Sequence, residues 1–241
     1  MQHVLEIAAF TLDGALRAQA AGADRIELCE NASDGGTTPS YGFLKKAIEL
    51  LTIPVFPIIR PRGGHFYYSQ HEFEILKADI QLCRELGYTG IVVGMLDQDG
   101  HLPISHLREI MAIKGHMQVT FHRAFDRCAN PQVSMEQLID LGVTRILTSG
   151  QYPTVSSGLG QLMQWVEQAQ DRIIIMPGSG LNSKNVKEIA LQTKAKEFHT
   201  AARMQYVDSA VKSPASMNEN MAWVSVDEEE VIAIKRILNA L

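Results

Sequence analysis

Short apolar runs begin at Val4, Arg25, Val55, Gly90, Val119, Arg145, Ile173 and Phe198, spaced roughly 25–30 residues apart. Between them apolar residues recur with helical period, as Phe73, Leu76, Ile80, Cys83 and Leu86 do on one face. Alternating strand and helix patterns favour a parallel sheet covered by its own helices. Eight such units close into a barrel, and 241 residues is an ordinary length for one. The pattern predicts an α/β fold, one (β/α)8 TIM-type barrel domain over residues 1–241, with a long loop before the last helix.

Local signals place the element ends. A helix over Leu12–Ala20 stops at Gly22, and Thr38-Pro39 reads as an N-cap followed by a first-turn proline. Ser69 with Glu72, and Ser225 with Glu228, read as capping boxes, while Asn130-Pro131 is another cap with proline behind it. The third strand, Pro54–Arg60, ends in Pro61-Arg62-Gly63-Gly64, and the seventh, Arg172–Met176, in Pro177-Gly178-Ser179-Gly180. The segment Arg203–Val224 is polar, rich in methionine and without clear period, so it is expected as an irregular loop serving as a lid or a subunit contact.

Composition narrows the classes. Hydrophobic residues at 46% allow a large core, and a net charge of −5 argues against an electrostatic nucleic-acid surface. No apolar run reaches membrane-spanning length. The N-terminus opens into a strand without the basic and apolar regions of a signal peptide. Cys29, Cys83 and Cys128 form neither a zinc spacing nor a redox pair, which fits a reducing compartment. A cytoplasmic protein without nucleic-acid or membrane partners is the expectation.

Strand alternation sorts the faces. If Ile26 and Leu28 face the helices, Glu27 and Cys29 face the interior; the same parity puts Glu6, Arg60, Thr120, His122, Glu197 and His199 inside. Two readings follow: an ion-pair network filling the barrel, or a polar pocket at the strand C-termini, where barrel enzymes place their chemistry. The second is preferred. Glu27, His122 and His199 are the candidate catalytic groups, histidine being the side chain that ordinarily titrates near neutral pH.

Arg60, Arg62, Gly63 and Gly64 form a cluster suited to a phosphate or carboxylate, and Gly178, Ser179 and Gly180 open the seventh helix where barrels often hold an anion. No lysine falls at a strand end, which argues against a Schiff-base aldolase. Alternatively, Glu27, His122 and His199 converge on a metal ion, with Cys29 biasing the choice toward copper or zinc.

Gly22-Ala-Asp-Arg-Ile-Glu-Leu-Cys29, Gly35-Gly36-Thr37-Thr38-Pro39-Ser40 and Ile59-Arg-Pro-Arg-Gly-Gly64 resemble segments of the CutC family, the copper homeostasis proteins. Thr120-Phe-His-Arg-Ala-Phe-Asp126, Arg145-Ile-Leu-Thr-Ser-Gly150 and Glu197-Phe-His199 look like the same family, so the resemblance spans nearly the whole chain. It implies a (β/α)8 barrel, a cytoplasmic homodimer and a part in copper homeostasis with copper as the bound metal. Some members carry an inward cysteine on the first strand; Ala8 stands there in this chain, leaving Cys29 as the candidate copper ligand. The runner-up function is a barrel enzyme doing acid–base chemistry on a phosphorylated or carboxylated small molecule bound at the rim.

Overall fold

The computed structural model describes residues 3–207, 212 and 214–241. Strands and helices alternate through the barrel: β1 (Val4–Ala9), α1 (Leu12–Ala20), β2 (Arg25–Leu28), α2 (Tyr41–Leu50), β3 (Val55–Pro57), α3 (Gln70–Glu85), β4 (Gly90–Val93) and α4 (Ile104–Ile113). The second half follows the same plan with β5 (Gln118–Phe121), α5 (Pro131–Asp140), β6 (Arg145–Thr148), α6 (Leu159–Ala169), β7 (Ile174–Pro177), α7 (Val186–Thr193) and β8 (Glu197–Thr200). A hairpin of β9 (Arg203–Tyr206) and β10 (Trp223–Val226) precedes α8 (Glu228–Asn239).

The parallel strands lie in two arcs, ordered β3-β2-β1-β8 and β4-β5-β6-β7. A parallel bridge between Ile58 and Val92 joins β3 to β4 at one seam. The fold is a (β/α)8 barrel. Its outer core lies between strands and helices, where Ile26, Leu28, Val119, Phe121 and Phe198 pack with helix residues such as Leu44, Leu76 and Trp165. Burying these side chains contributes roughly 1.5–3 kcal/mol each. Inside the barrel, Cys29, Phe56, Ile58 and Val92 form a separate small apolar cluster.

Several caps form as the sequence predicts. Ser69 and Glu72 make a reciprocal capping box at the start of α3, and the Asn130 side chain accepts from the Val133 amide ahead of Pro131. Two differ. Ser40 rather than Thr38 caps α2, because the Thr38 hydroxyl accepts the Arg60 amide at 2.9 Å. Asp227 rather than Ser225 caps α8, accepting from the Glu229 and Glu230 amides, since Ser225 pairs with Met204 across the hairpin.

That hairpin corrects the expected irregular loop: both ends of Arg203–Val224 are antiparallel strand, with Tyr206 and Trp223 stacked at 6.0 Å. Residues 208–211 and 213 of the same segment lie outside the described residues.

Candidate active site at the C-terminal rim

Three consequences of strand parity meet in the barrel's lower interior. In-register neighbours Glu6, Arg25 and His199 on β1, β2 and β8 all point inward and are buried. Arg25 pairs with Glu6 through Nε and donates from Nη2 to Glu197 at 2.5 Å. Arg145 donates from Nε to the same Glu197 oxygen at 3.0 Å, and its other nitrogens reach Thr120 and Gln118. This is a closed lattice of two carboxylates and two guanidinium groups, in which buried charge is matched by hydrogen-bonded partners. Sequence reasoning placed Glu197 inside but passed over Arg25 and Arg145. Arg25 lies two residues before Glu27 on the same strand, so the same parity would have found it.

Above the lattice, His199 links two carboxylates: Nδ1 lies 2.8 Å from Glu6 Oε1, and Nε2 lies 3.7 Å from Glu27 Oε2. Burial acts against ionisation of Glu6, but the Arg25 charge and the His199 hydrogen bond outweigh it and bring its pKa down to about 2. Burial also acts against charge on His199, yet its hydrogen bond to Glu6 and the nearby carboxylates raise its pKa. For Glu27, burial pushes the carboxyl up to about 7, with the His199 charge opposing and the Glu6 charge adding. A carboxyl near neutrality, at the edge of a cavity, is suited to general acid–base work.

That cavity has a volume of about 700 Å³ and opens at the strand C-termini. Glu27 and His199 line it from β2 and β8 and His122 from just past the end of β5, and Arg60, Arg123, Ser179, Gly180 and Arg203 contribute to the wall. Asp227 and Glu230, from the start of α8, complete one side. The Glu230 carboxylate accepts both the amide and the hydroxyl of Ser183, tying α8 to the loop before α7.

His122 differs in kind from His199. Its Nδ1 accepts the Ala124 amide at 3.1 Å, which puts the ring proton on Nε2. Burial, with the charges of Arg60 and Arg127 adding, lowers its pKa to about 3. The expectation of a histidine titrating near neutral pH is therefore not met at His122, which burial holds in its neutral form. The ring lies against Phe66 at 4.7 Å between centroids, and Arg60 and Arg127 stack on the same phenyl ring at 5.0 and 5.2 Å. Gly94 makes room for it, since a Cβ there would sit 2.2 Å from the imidazole.

The predicted anion cluster at the third strand is arranged differently from its sequence reading. Arg60 donates to the carbonyls of Asp34, Gly36 and Gly64, so it clamps two loops together. Arg62 pairs with Glu72 and donates to the carbonyls of Gly63, His65 and Tyr67. Of Arg60, Arg62, Gly63 and Gly64, only Arg60 lines the cavity. Gly63 is needed because a Cβ would fall 2.5 Å from Asp34.

The predicted anion loop after β7 contributes Ser179 and Gly180 to the cavity but not Gly178, which packs where a Cβ would meet Leu147 at 2.4 Å. Ser179 holds a left-handed φ of 85°, braced by donation to the Pro153 carbonyl and acceptance from Arg123. Arg123 in turn bridges Asp126, Ser149 and Ser179. Asp126 thus orients Arg123 and the turn at Ser149, whose amide it accepts at 3.1 Å.

Cys29 sits among Phe56, Ile58 and Val92 rather than on the cavity wall. Burial and the neighbouring Glu27 charge push its thiol up, which disfavours the thiolate that metals bind. Copper(I) prefers two or more soft sulfur donors. Cys83 is buried on α3 and Cys128 follows β5. Among the described residues, Asp97, Asp99 and His101 form the one converging set of three or more His, Cys, Asp or Glu donors, exposed after β4. The residues around Cys29 therefore do not fit a thiolate copper site.

A (β/α)8 barrel with a titratable carboxyl and a neutral imidazole donor facing one rim cavity is the class these observations define. The chain belongs to the CutC family, whose model matches residues 3–204. It is 50% identical over 198 residues to a CutC family protein of Photorhabdus laumondii, covering 82% of this chain and 79% of that one. With the CutC family protein of Edwardsiella ictaluri it shares 45% identity over 246 residues, covering 98% and 96%.

Among solved structures, a Streptococcus agalactiae protein described as a copper homeostasis protein CutC superposes with a TM-score of 0.79 at 34% identity, over 83% of this chain and 98% of that one. Phosphoribosylanthranilate isomerase of Thermotoga maritima shares the fold at a TM-score of 0.57 and 13% identity, over 99% and 100% of the two chains. Among the described residues no helix is long and apolar enough to cross a membrane.

Proposed function

We propose that this CutC family barrel binds a small anionic molecule at its rim and performs acid–base chemistry on it. The observation that carries the reading is Glu27, a carboxyl brought to about 7 and facing the 700 Å³ cavity. Arg203 lines the same space, its guanidinium over the Phe10 ring at 4.6 Å, and is the anchor for the anion. Ser179 and Gly180, on the loop after β7, face the cavity where backbone amides suit a phosphate or carboxylate.

The test is mass spectrometry of small molecules extracted from untagged protein, with metal analysis on the same sample. A co-purifying phosphorylated or carboxylated compound, lost in Arg203→Ala, supports the reading; copper at one equivalent with no such compound counts against it.

A part in copper homeostasis is the second reading, supported by the family and by the description of the Streptococcus agalactiae relative. In that reading the metal is cargo met through donors other than a paired thiolate, given the setting of Cys29. The family resemblance also supports a cytoplasmic location and a homodimer, the second of which light scattering on the purified protein tests.

A further inference from the structure

The acid–base reading leaves open what kind of bond is attacked, and His122 bears on that. It is 4% exposed, lines the cavity, and its Nε2 has no hydrogen-bond partner among the described residues. An N–H donor buried without an acceptor costs on the order of 1–3 kcal/mol, a cost that a ligand oxygen would offset. The ring is held from behind, because the Ala124 amide donates to Nδ1 and the missing Cβ at Gly94 leaves the imidazole its place beside the end of β4.

Its surroundings select among oxygens. A phosphate wants three or more donors at once, whereas the unpartnered N–H groups of this corner among the described residues are two, His122 Nε2 and Arg60 Nε, both beside the face of Phe66, which suits the two lone pairs of one carbonyl oxygen. A single planar acceptor matches that wall. The same phenyl carries the guanidinium groups of Arg60 and Arg127 on its faces, so the corner is electropositive without a second proton donor on His122. Negative charge developing on an oxygen is favoured there. Glu27 borders the same cavity from β2.

Resting on the acid–base reading, we infer that the cavity takes a carbonyl compound, His122 Nε2–H holding the carbonyl oxygen while Glu27 moves a proton on the adjacent carbon. In the step, the C–H bond breaks and its proton forms an O–H bond on the Glu27 carboxylate. The electron pair shifts to the carbonyl oxygen, giving an enolate that His122 stabilises by hydrogen bonding. Return of the proton to the same or the neighbouring carbon restores Glu27. No oxidant, reductant or co-reactant is consumed. The substrate class is a small anionic aldehyde or ketone with hydrogen on the carbon beside the carbonyl, its anion at Arg203 and its carbonyl at His122.

A matched pair of probes tests this. 2-Phosphoglycolate and phosphoglycolohydroxamate share the anion, and only the hydroxamate mimics the enolate end. Calorimetric titration of the full chain is expected to show the hydroxamate bound at least ~100-fold more tightly. His122→Phe, which keeps a ring but no donor, is expected to erase that preference; His122→Gln, which keeps an N–H, retains part of it. In the wild type, the His122 Nε2–H resonance moves on hydroxamate binding, a readout independent of whether either variant folds.

In D2O, wild-type protein exchanges the carbon-bound hydrogens of dihydroxyacetone phosphate, and Glu27→Gln slows this at least ~100-fold. Equal affinity for the two probes, a preference that survives in His122→Phe, or an unmoved resonance overturns the role of His122. Probe binding without exchange overturns the proton-transfer step while leaving the anion site standing. Binding of neither probe overturns both this inference and the reading beneath it.

Discussion

His199 and Glu6 share a hydrogen bond of 2.8 Å between adjacent strands, and the far side of the same imidazole faces Glu27 at 3.7 Å. One ring therefore couples a carboxylate held ionised to a carboxyl held near neutrality.

This coupling gives folding stability a definite pH dependence. Glu27 titrates at about 7 in the folded protein and near 4.5 when unexposed to such surroundings, so the native state binds more protons between those values. Its contribution is fully present below about 4.5 and is lost as pH rises through about 7. The raised pKa of His199 acts in the same direction, its share fading as pH climbs past the folded-state value. Glu6 acts oppositely: its share is present above 4.5 and lost as pH falls toward about 2. Urea titrations from pH 4.5 to 9 should show wild-type stability falling and then levelling, with a flatter curve for Glu27→Gln. Parallel curves would remove Glu27 as the titrating group.

Arg25 should be the most costly single charge to lose. Arg25→Met leaves Glu6 and Glu197 without their shared guanidinium, and breaking one partner out of a buried ionic lattice costs roughly 3–5 kcal/mol. The readout is the urea midpoint at neutral pH. A loss under about 1 kcal/mol would mean that the lattice relaxes around the missing charge.

Two glycines make a paired comparison. Gly94→Ala places a methyl group 2.2 Å from the His122 ring and should cost about 1–3 kcal/mol while displacing the imidazole. Gly42, in the first turn of α2, has open space at its Cβ, so Gly42→Ala should stabilise by up to about 1 kcal/mol. Thermal melts of the two variants should shift in opposite directions; a shared direction would contradict the packing described at Gly94.

Copper offers a direct check on Cys29. With its thiol proton retained by burial and no converging donor set around it among the described residues, Cys29→Ala should leave copper(I) stoichiometry unchanged in a competition titration against a chromogenic chelator. Loss of one equivalent would return Cys29 to the role of ligand.

The barrel and its inward faces were legible because parity in short strands is a local property. Glu27 and Cys29 alternate with Ile26 and Leu28, and the structure buries the first pair inside and the second against helices. What stayed hidden depended on partners distant in sequence. The Thr38 hydroxyl is engaged 22 residues away by the Arg60 amide, so Ser40 caps α2.

Arg60 and Arg62 look like free cations in sequence, yet loop carbonyls and Glu72 take most of their donors. His122 was recognisable as inward, but its tautomer depends on the backbone turn that follows it. The hairpin leaves no signature in the sequence because Arg203, Met204 and Gln205 are all exposed, so no buried face marks the strand.

The rim wall supplied by Asp227 and Glu230 lies beyond residue 204, where the match to the family model ends. Helix α8 therefore does more than close the outer shell: its first turn walls a space whose other sides come from strand ends, so the last helix cannot be trimmed away without opening the cavity.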